Sequence, residues 1–122
     1  MGQMNRDPRS PCPIATTLDI VGDRWTLVVV RDMLTGKKRF SEFLDSPEGI
    51  ATNVLSDRLA LIEQAGLVTK APYQLRPKRF EYTLTTKGED LLPTLQEMSR
   101  WANRHIRGTW TPPESFMAKK IP

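Results

Sequence analysis

Apolar residues recur at helical spacing over the first third of the chain. Ile14, Leu18 and Val21 follow one another at intervals of four and three residues, which predicts a helix over residues 13–21. Over residues 23–34, apolar side chains cover most directions of a helical wheel. A helix that is apolar on nearly every side is expected to be buried, so this second helix should lie at the centre of the fold.

Two further helices are predicted, separated by a turn. Ser41 can cap a brief helix that ends near residue 44, and residues 45–49 have the composition of a turn. Residues 52–64 then form a longer amphipathic helix. Its core-facing side chains repeat at intervals of four and three residues: Leu55, Leu59 and Ile62.

In the second half of the chain, the sequence pattern changes from helical spacing to short β-prone runs. Two short β-prone runs, at 68–73 and 79–84, are joined by a loop over residues 74–78 and predict a hairpin. Thr86 and Glu89 have the spacing of a capping box and open a last helix, which Pro93 is expected to kink. One stripe of that helix is apolar: Leu91, Leu95, Met98, Ala102, His105 and Ile106.

This order of elements is typical of a winged helix-turn-helix. We therefore predict an α+β fold, mainly α, with a two-stranded β-wing. The domain is expected over residues 12–107, between a flexible N-terminal arm at 1–11 and an irregular C-terminal tail at 108–122.

The apolar stripe of the last helix is too long for so small a domain to cover by itself. We therefore expect a homodimer, because a second copy is the simplest source of the missing cover. The predicted interface on this helix comprises Leu91, Leu95, Met98, Trp101, Ala102 and Ile106.

Composition adds a charge pattern. The chain has 122 residues, enough for one core and not for two, and a formal net charge of +4. No acidic residue lies between Glu63 and Glu81, and residues 37–39 are all basic. Such patches suit a polyanionic partner, although the alternative is that they are merely solvated faces.

Several classes of protein are disfavoured. A single cysteine, Cys12, excludes an internal disulfide, and with a single histidine it leaves no zinc-ligand set, so neither metal nor cofactor is expected. No apolar run approaches the roughly 18 residues of a membrane span, and residues 1–10 lack the core of a secretory signal, so we expect a cytoplasmic protein without a membrane partner. No pattern of catalytic groups points to an enzyme.

The polar face of the 52–64 helix supplies the candidate base contacts. The N-terminal half of such a helix meets the major groove, which assigns Thr52, Asn53, Ser56 and Asp57 to base edges, with Arg58 beside them. Asn53 suits adenine, and Arg58 suits guanine or phosphate. Asp57 either accepts a hydrogen bond from cytosine or orients Arg58 through a salt bridge, and we favour the second role.

Other groups are assigned to the DNA backbone. Arg76, Lys78 and Arg79 surround Pro77, which stiffens the tip of the wing. Ser41, at a helix start, offers a hydroxyl and backbone N–H groups to another phosphate. Three cations flank this serine: Lys37, Lys38 and Arg39.

Short motifs are distributed over about residues 12–106. They comprise Cys12-Pro13, Gly22-Asp23-Arg24-Trp25-Thr26-Leu27, Arg39-Phe40-Ser41-Glu42, Val54-Leu55 with Arg58-Leu59, Glu63 to Val68, and Tyr82-Thr83-Leu84-Thr85 with Gly88. In combination they resemble the HxlR-type bacterial regulators, relatives of the MarR group. The family usually has Ser-Pro at the start of the recognition helix; this chain has Ala51-Thr52, so Thr52 would take over the cap.

The resemblance implies a homodimer on an inverted-repeat operator, with N- and C-terminal dimerisation helices interlocking across a two-fold axis. Ile14 and Leu18 then join the interface. The family also includes members that sense oxidants or electrophiles through a cysteine at the place of Cys12. The helix N-terminus and the nearby Arg9 would favour its thiolate, and the alternative is an inert cysteine.

These observations converge on one expectation. The chain should be a sequence-specific transcription regulator, a homodimeric repressor that binds double-stranded DNA. An oxidant or small-molecule effector would act on it through Cys12. The alternative is a winged-helix module that binds other proteins and does not bind DNA.

Overall fold

The computed structural model describes residues 9–122. Four helices come first, then a hairpin, then three helices. Their bounds are α1 Pro13–Val21, α2 Thr26–Leu34, α3 Phe40–Phe43, α4 Thr52–Gln64, β1 Val68–Leu75, β2 Lys78–Leu84, α5 Thr86–Glu89, α6 Leu92–His105 and α7 Glu114–Met117. The predicted mainly helical fold with a two-stranded wing is confirmed. No helix among these residues combines the length and apolar character that crossing a membrane requires.

Helix α2 lies at the centre, as its apolar pattern predicts. Val29 contributes to one cluster of buried residues, with Phe43, Leu55 and other side chains of the helix-turn-helix. Its neighbour Val30 contributes to a second cluster, with Leu95 of α6 and other residues. Because consecutive residues of a helix point in different directions, α2 joins the two clusters.

The hairpin is longer, and its turn tighter, than the sequence predicts. Strands β1 and β2 are antiparallel, with Val68 opposite Leu84 at the base and Leu75 opposite Lys78 at the tip. The register shifts between Pro72 and Gln74, which marks a bulge in β1. The additional pairs extend the wing close to its two-residue turn.

The predicted last helix is divided in two. The side chain of Thr85, rather than that of Thr86, caps α5 by accepting a hydrogen bond from the N–H of Gly88. Helix α5 ends before Asp90, and α6 starts at Leu92 with Pro93 in its first turn. Proline has no N–H to continue the preceding helix, so the expected kink becomes a break just before it.

The tail departs from the irregular segment expected over 108–122. It contains α7, and Phe116 is only 9% exposed within the second cluster. The buried amide of Gln96 donates to the carbonyl oxygens of Phe116, Met117 and Lys119 at 3.0, 3.2 and 2.8 Å. This tail therefore packs against α6, an arrangement that its Pro-rich composition does not reveal.

Candidate nucleic-acid interface

Helix α4 is anchored on one side and open on the other. Leu55, Leu59 and Ile62 are at most 2% exposed and pack with Phe43 and Leu67. This anchoring holds the helix against the domain without using its polar face. Four predicted base-contacting residues lie on that exposed face: Thr52, Asn53, Ser56 and Asp57.

The N-terminus of α4 differs from the expected cap. Ala51, rather than Thr52, is the N-cap residue, and it provides no side-chain hydrogen bond. Thr52 is the first residue of the helix, with its side chain on the exposed surface. Backbone N–H groups at such a terminus favour an anion, since they carry the positive end of the helix dipole.

Arg58 points back into the protein. Its Nε donates to Oδ2 of Asp23 at 2.8 Å, whereas its Nη1 lies 3.5 Å from Asp57 Oδ2. The Asp57 contact predicted from the sequence is thus present but secondary. Asp23 is the partner that the sequence analysis missed.

Asp23 also organises the start of α2. Its Oδ2 accepts hydrogen bonds from the N–H groups of Trp25 and Thr26 at 2.9 and 3.0 Å, and the Thr26 hydroxyl donates to its Oδ1. Partial burial alone would raise the pKa of Asp23, but these hydrogen bonds and the charge of Arg58 outweigh it and hold the pKa below its ordinary value. An Asp three residues before Thr26 is a recognisable N-capping pattern. This pattern was the sequence signal from which a role for Asp23 could have been predicted.

Helix α3 starts two residues earlier than predicted, with Arg39 rather than Ser41 at its N-cap. The carboxylate of Glu42 accepts the N–H groups of Lys38 and Arg39 at 2.8 and 2.9 Å. These hydrogen bonds hold the pKa of Glu42 below its ordinary value. Ser41 is exposed within the short helix, so its hydroxyl is accessible although it does not cap.

The three cations before α3 have different surroundings. Arg39 donates from Nε to Glu81 Oε2 at 2.9 Å, and its guanidinium lies 3.7 Å from the centre of the Tyr73 ring. Lys37 Nζ is 4.0 Å from the buried Asp32. Lys38 is exposed and has no ion pair among residues 9–122. Of these three cations, Lys38 is the most available to a phosphate.

The tip of the wing concentrates unpaired positive charge. Arg76, Lys78 and Arg79 are exposed, and none of them forms an ion pair within the described part of the chain. Lys78 Nζ lies 5.8 Å from the centre of the Phe80 ring. The Gln74 amide donates to the Pro77 carbonyl at 3.1 Å and ties the two sides of the turn together.

The wing and α3 are directly joined. The N–H of Tyr82 donates to the carbonyl of Lys38 at 2.8 Å, and Arg39 forms an isolated antiparallel bridge with Glu81. The segment before α3 therefore pairs with the outer edge of β2. The sequence analysis used only the charges of this segment and did not find its pairing partner.

The eight residues assigned to dimerisation differ in their exposure. Leu95 is 7% exposed and packs with Val30 and Phe116 of its own chain, so it has little surface for a partner. Leu91 and Ala102 are half-buried. The other five are at least 49% exposed: Ile14, Leu18, Met98, Trp101 and Ile106.

Cys12 is exposed at the N-cap position of α1. Arg9, which the sequence placed near it, instead donates to Asp19 Oδ1 at 2.8 Å and to the Ala15 carbonyl at 3.1 Å. The Arg9 charge is therefore matched by a carboxylate. The thiol remains accessible, but this arrangement does not direct the Arg9 charge toward it.

An anchored helix-turn-helix followed by a cationic wing defines the winged helix-turn-helix class of regulators. A family model described as "HxlR-like helix-turn-helix" matches residues 20–109. The chain belongs to this family of transcription regulators, which is not a family of enzymes, and the predicted resemblance is confirmed.

Known proteins agree with this assignment. The HTH-type transcriptional regulator YvaP of Bacillus subtilis is 38% identical over 96 residues, which cover 78% of this chain and 89% of YvaP. The structure of the redox regulator HypR in its oxidised form is 34% identical, with a TM-score of 0.69, covering 77% of this chain and 97% of that one. The reduced transcriptional regulator YodB from B. subtilis is 29% identical, with a TM-score of 0.66, covering 83% and 100%. Mycobacterial relatives are longer, and the match covers 63% of their length.

Proposed function

We propose that this protein is a sequence-specific transcription regulator that binds duplex DNA as a homodimer and represses by occluding a promoter. The observation that carries the proposal is the exposed polar face at the start of α4, held in place by the buried face of the same helix. A helix of this kind can enter a major groove without losing its anchoring. The relatives' description as HTH-type transcriptional regulators supports this function.

We assign the exposed side chains to two kinds of contact, one with base edges and one with phosphates. Thr52, Asn53 and Ser56 are short, polar and exposed, which suits them to base edges. The unpaired cations of the wing suit phosphates, which give affinity without sequence information. Arg39 contributes less charge to this surface because Glu81 already pairs with it.

A homodimer accounts for the apolar surface. Among the described residues, nine large hydrophobic side chains are strongly exposed, and six of them come from α1, α6 and the segment just after α6: Ile14, Leu18, Met98, Trp101, Ile106 and Trp110. Such a concentration of exposed apolar side chains in the N-terminal and C-terminal helices favours a two-fold interface. Each half-site of the operator would then lie about one turn of DNA, or a multiple of roughly 10 bp, from the other.

The test is a titration of labelled duplexes, including the DNA upstream of the protein's own gene, at two salt concentrations. Phosphate contacts predict a steep fall in affinity as salt rises, and base contacts predict one fragment bound well above the others. Absent or salt-insensitive binding would instead favour the alternative of a protein-interaction module.

Cys12 supports a second, finer proposal, that an oxidant or electrophile controls DNA binding. The thiol is exposed, and the solved relatives include a redox regulator and a diamide-treated form of YodB. With no second cysteine in the chain, oxidation would join Cys12 to Cys12 of the other subunit or to a small thiol. Two thiols then lose two electrons and two protons to the oxidant as the disulfide forms.

The experiment compares wild-type protein with Cys12→Ser on the same operator. Diamide should release the wild-type protein, a reducing thiol should restore binding, and the serine variant should stay bound throughout. Equal release of both proteins would dismiss Cys12 as the sensor and leave the DNA-binding proposal intact.

A further inference from the structure

One strongly exposed apolar side chain lies at the tip of the wing. Leu75 ends strand β1, is 71% exposed and belongs to neither cluster of buried residues. It is opposite Lys78 in the last pair of the hairpin, next to the two-residue turn. Because Leu75 is part of neither α1 nor α6, the dimer interface proposed above does not account for its exposure.

The surroundings of Leu75 are cationic. Its neighbours Arg76, Lys78 and Arg79 are exposed and form no ion pair within residues 9–122. The acidic residue nearest to it in sequence is Glu81, whose charge Arg39 already matches. Charged residues are depleted from the cores of protein–protein interfaces, so this tip does not suit the apolar patch of a partner protein. A polyanion with an apolar recess suits it better, and the minor groove of DNA has both properties.

The hairpin holds this tip away from the rest of the domain. The Gln74 amide donates to the Pro77 carbonyl across the turn at 3.1 Å, and the Tyr82 N–H donates to the Lys38 carbonyl at 2.8 Å. Lys78 precedes Tyr82 by four positions on β2, so the tip extends about 13 Å beyond this attachment. Paired strands are about 5 Å apart before their side chains are added, and the minor groove is about 6 Å wide. The hairpin backbone therefore stays at the mouth of the groove, and only a side chain beside the turn enters it.

The minor groove presents one chemical difference to an apolar side chain. A·T and T·A pairs expose only acceptors there, whereas a G·C pair adds the N2 amino group of guanine, a donor. A leucine side chain has no acceptor for this group. Covering the amino group therefore removes it from water without a new hydrogen bond, which costs free energy. A leucine in the minor groove disfavours a G·C pair beneath it.

We propose that Leu75 enters the minor groove at each half-site and selects A·T pairs there by excluding the 2-amino group of guanine. The inference rests on the proposed DNA binding and adds base selection to the wing, to which only phosphate contacts are assigned above. Arg76 and Lys78 hold the tip at the groove by neutralising phosphates. A two-fold dimer places one such leucine on each half of the operator.

The first experiment changes only the minor-groove amino group. The operator obtained from the titration above is scanned with symmetric substitutions, one position of both half-sites at a time. Inosine·C lacks the amino group but keeps the major-groove pattern of G·C, and diaminopurine·T adds the group to A·T. At the position beneath Leu75, affinity measured by anisotropy should fall about fivefold or more when the amino group is present, in both comparisons. Equal affinities at every scanned position overturn the proposal.

The second experiment assigns the effect to one side chain. Leu75→Ala should reduce the penalty of the amino group to about twofold or less, because the smaller side chain leaves room for a bridging water. Arg76→Ala is the matched control at the next residue, and it should weaken binding while leaving the penalty intact. A penalty that survives in Leu75→Ala but disappears in Arg76→Ala means that the arginine reads the narrow groove of A·T-rich DNA, and it overturns the role of Leu75.

These outcomes are separable from failure of the proposed function. A wild-type protein that binds no duplex contradicts the proposed regulator itself. Sequence-specific binding that is insensitive to the amino group at every position contradicts only the role of Leu75. Since Leu75 is exposed and lies outside both buried clusters, its replacement should leave the free energy of unfolding unchanged. Urea unfolding of each variant checks that a change in affinity does not come from a change in stability.

Discussion

Arg58 Nε on α4 donates to Asp23 Oδ2 at 2.8 Å, across 35 positions of sequence. Asp23 lies between α1 and α2, and the same oxygen accepts the N–H groups that start α2. One carboxylate therefore connects the start of the central helix to the helix assigned to DNA reading. Both side chains are less than a third exposed, so bulk water weakens the pair less than it weakens a surface ion pair.

Replacing Asp23 should affect both of these roles. We expect Asp23→Ala to lower the free energy of unfolding by about 1–2 kcal/mol, because it removes a cap and one charge of the pair. DNA affinity should fall as Arg58 loses its fixed orientation. Urea unfolding and anisotropy titrations measure the two effects. Asp23→Asn keeps a capping oxygen without the charge, so stability recovering while affinity stays low would separate the roles. Recovery of both would mean that the charge is unimportant.

The stability should fall at acid pH for a definable reason. The pKa of Glu48 is held below its ordinary value of 4.5 by the hydrogen bond from Arg31, and that of Asp23 lies below 3.8 for the reasons given above. Because the pKa values of both carboxyl groups are lowered in the folded state, the stabilisation that these groups contribute is fully present above their ordinary pKa values. It is lost as the pH falls through their folded-state pKa values. Unfolding free energies measured between pH 6 and pH 2.5 should therefore decline below about pH 4. The decline should be shallower in Asp23→Asn, and parallel curves for the two proteins would remove Asp23 from the explanation.

The cations of the wing should act on affinity without selecting sequence. We expect Lys78→Ala and Arg76→Ala to weaken binding to every duplex alike and to reduce the slope of log affinity against log salt by about one each. Arg39→Ala is the comparison, since Glu81 already pairs with that charge. It should change the slope less than either wing variant. A slope that is unaltered in both wing variants would contradict the contact between wing and phosphate.

Asn53 should act on sequence choice. We expect Asn53→Ala to cost about 1–3 kcal/mol of discrimination at one base pair of each half-site, with little change in the salt slope. Binding selection from a randomised operator library, run with both proteins, measures this directly. The exposed Gln64 at the far end of α4 supplies a control, because its replacement by Ala should leave the selected sequence intact. An identical consensus for Asn53→Ala would exclude Asn53 from base reading.

Periodicity was sufficient to locate α1, α4 and the hairpin. Of these three, α4 buries one side within its own chain, whereas Ile14 and Leu18 of α1 are 71% and 53% exposed. It failed for pairs formed between distant segments. The contact of Arg39 with Glu81 joins residues 42 positions apart, and that of Gln96 with Lys119 joins residues 23 positions apart. A single charged or amide side chain carries no periodic signal of its distant partner. The folded tail was missed for a similar reason, since one buried Phe116 among prolines and polar residues has no repeat to detect.

The pairing of Lys38 with Tyr82 has a mechanical consequence. Because the segment that leads into α3 is hydrogen-bonded to the wing, the hairpin and the helix-turn-helix are expected to move as one rigid body. The span between groove contact and wing contact is then set by the protein. A half-site with a different groove width must adapt by deforming the duplex, at an elastic cost that depends on its base steps. The affinity for an operator would then also depend on the flexibility of base pairs that no side chain contacts.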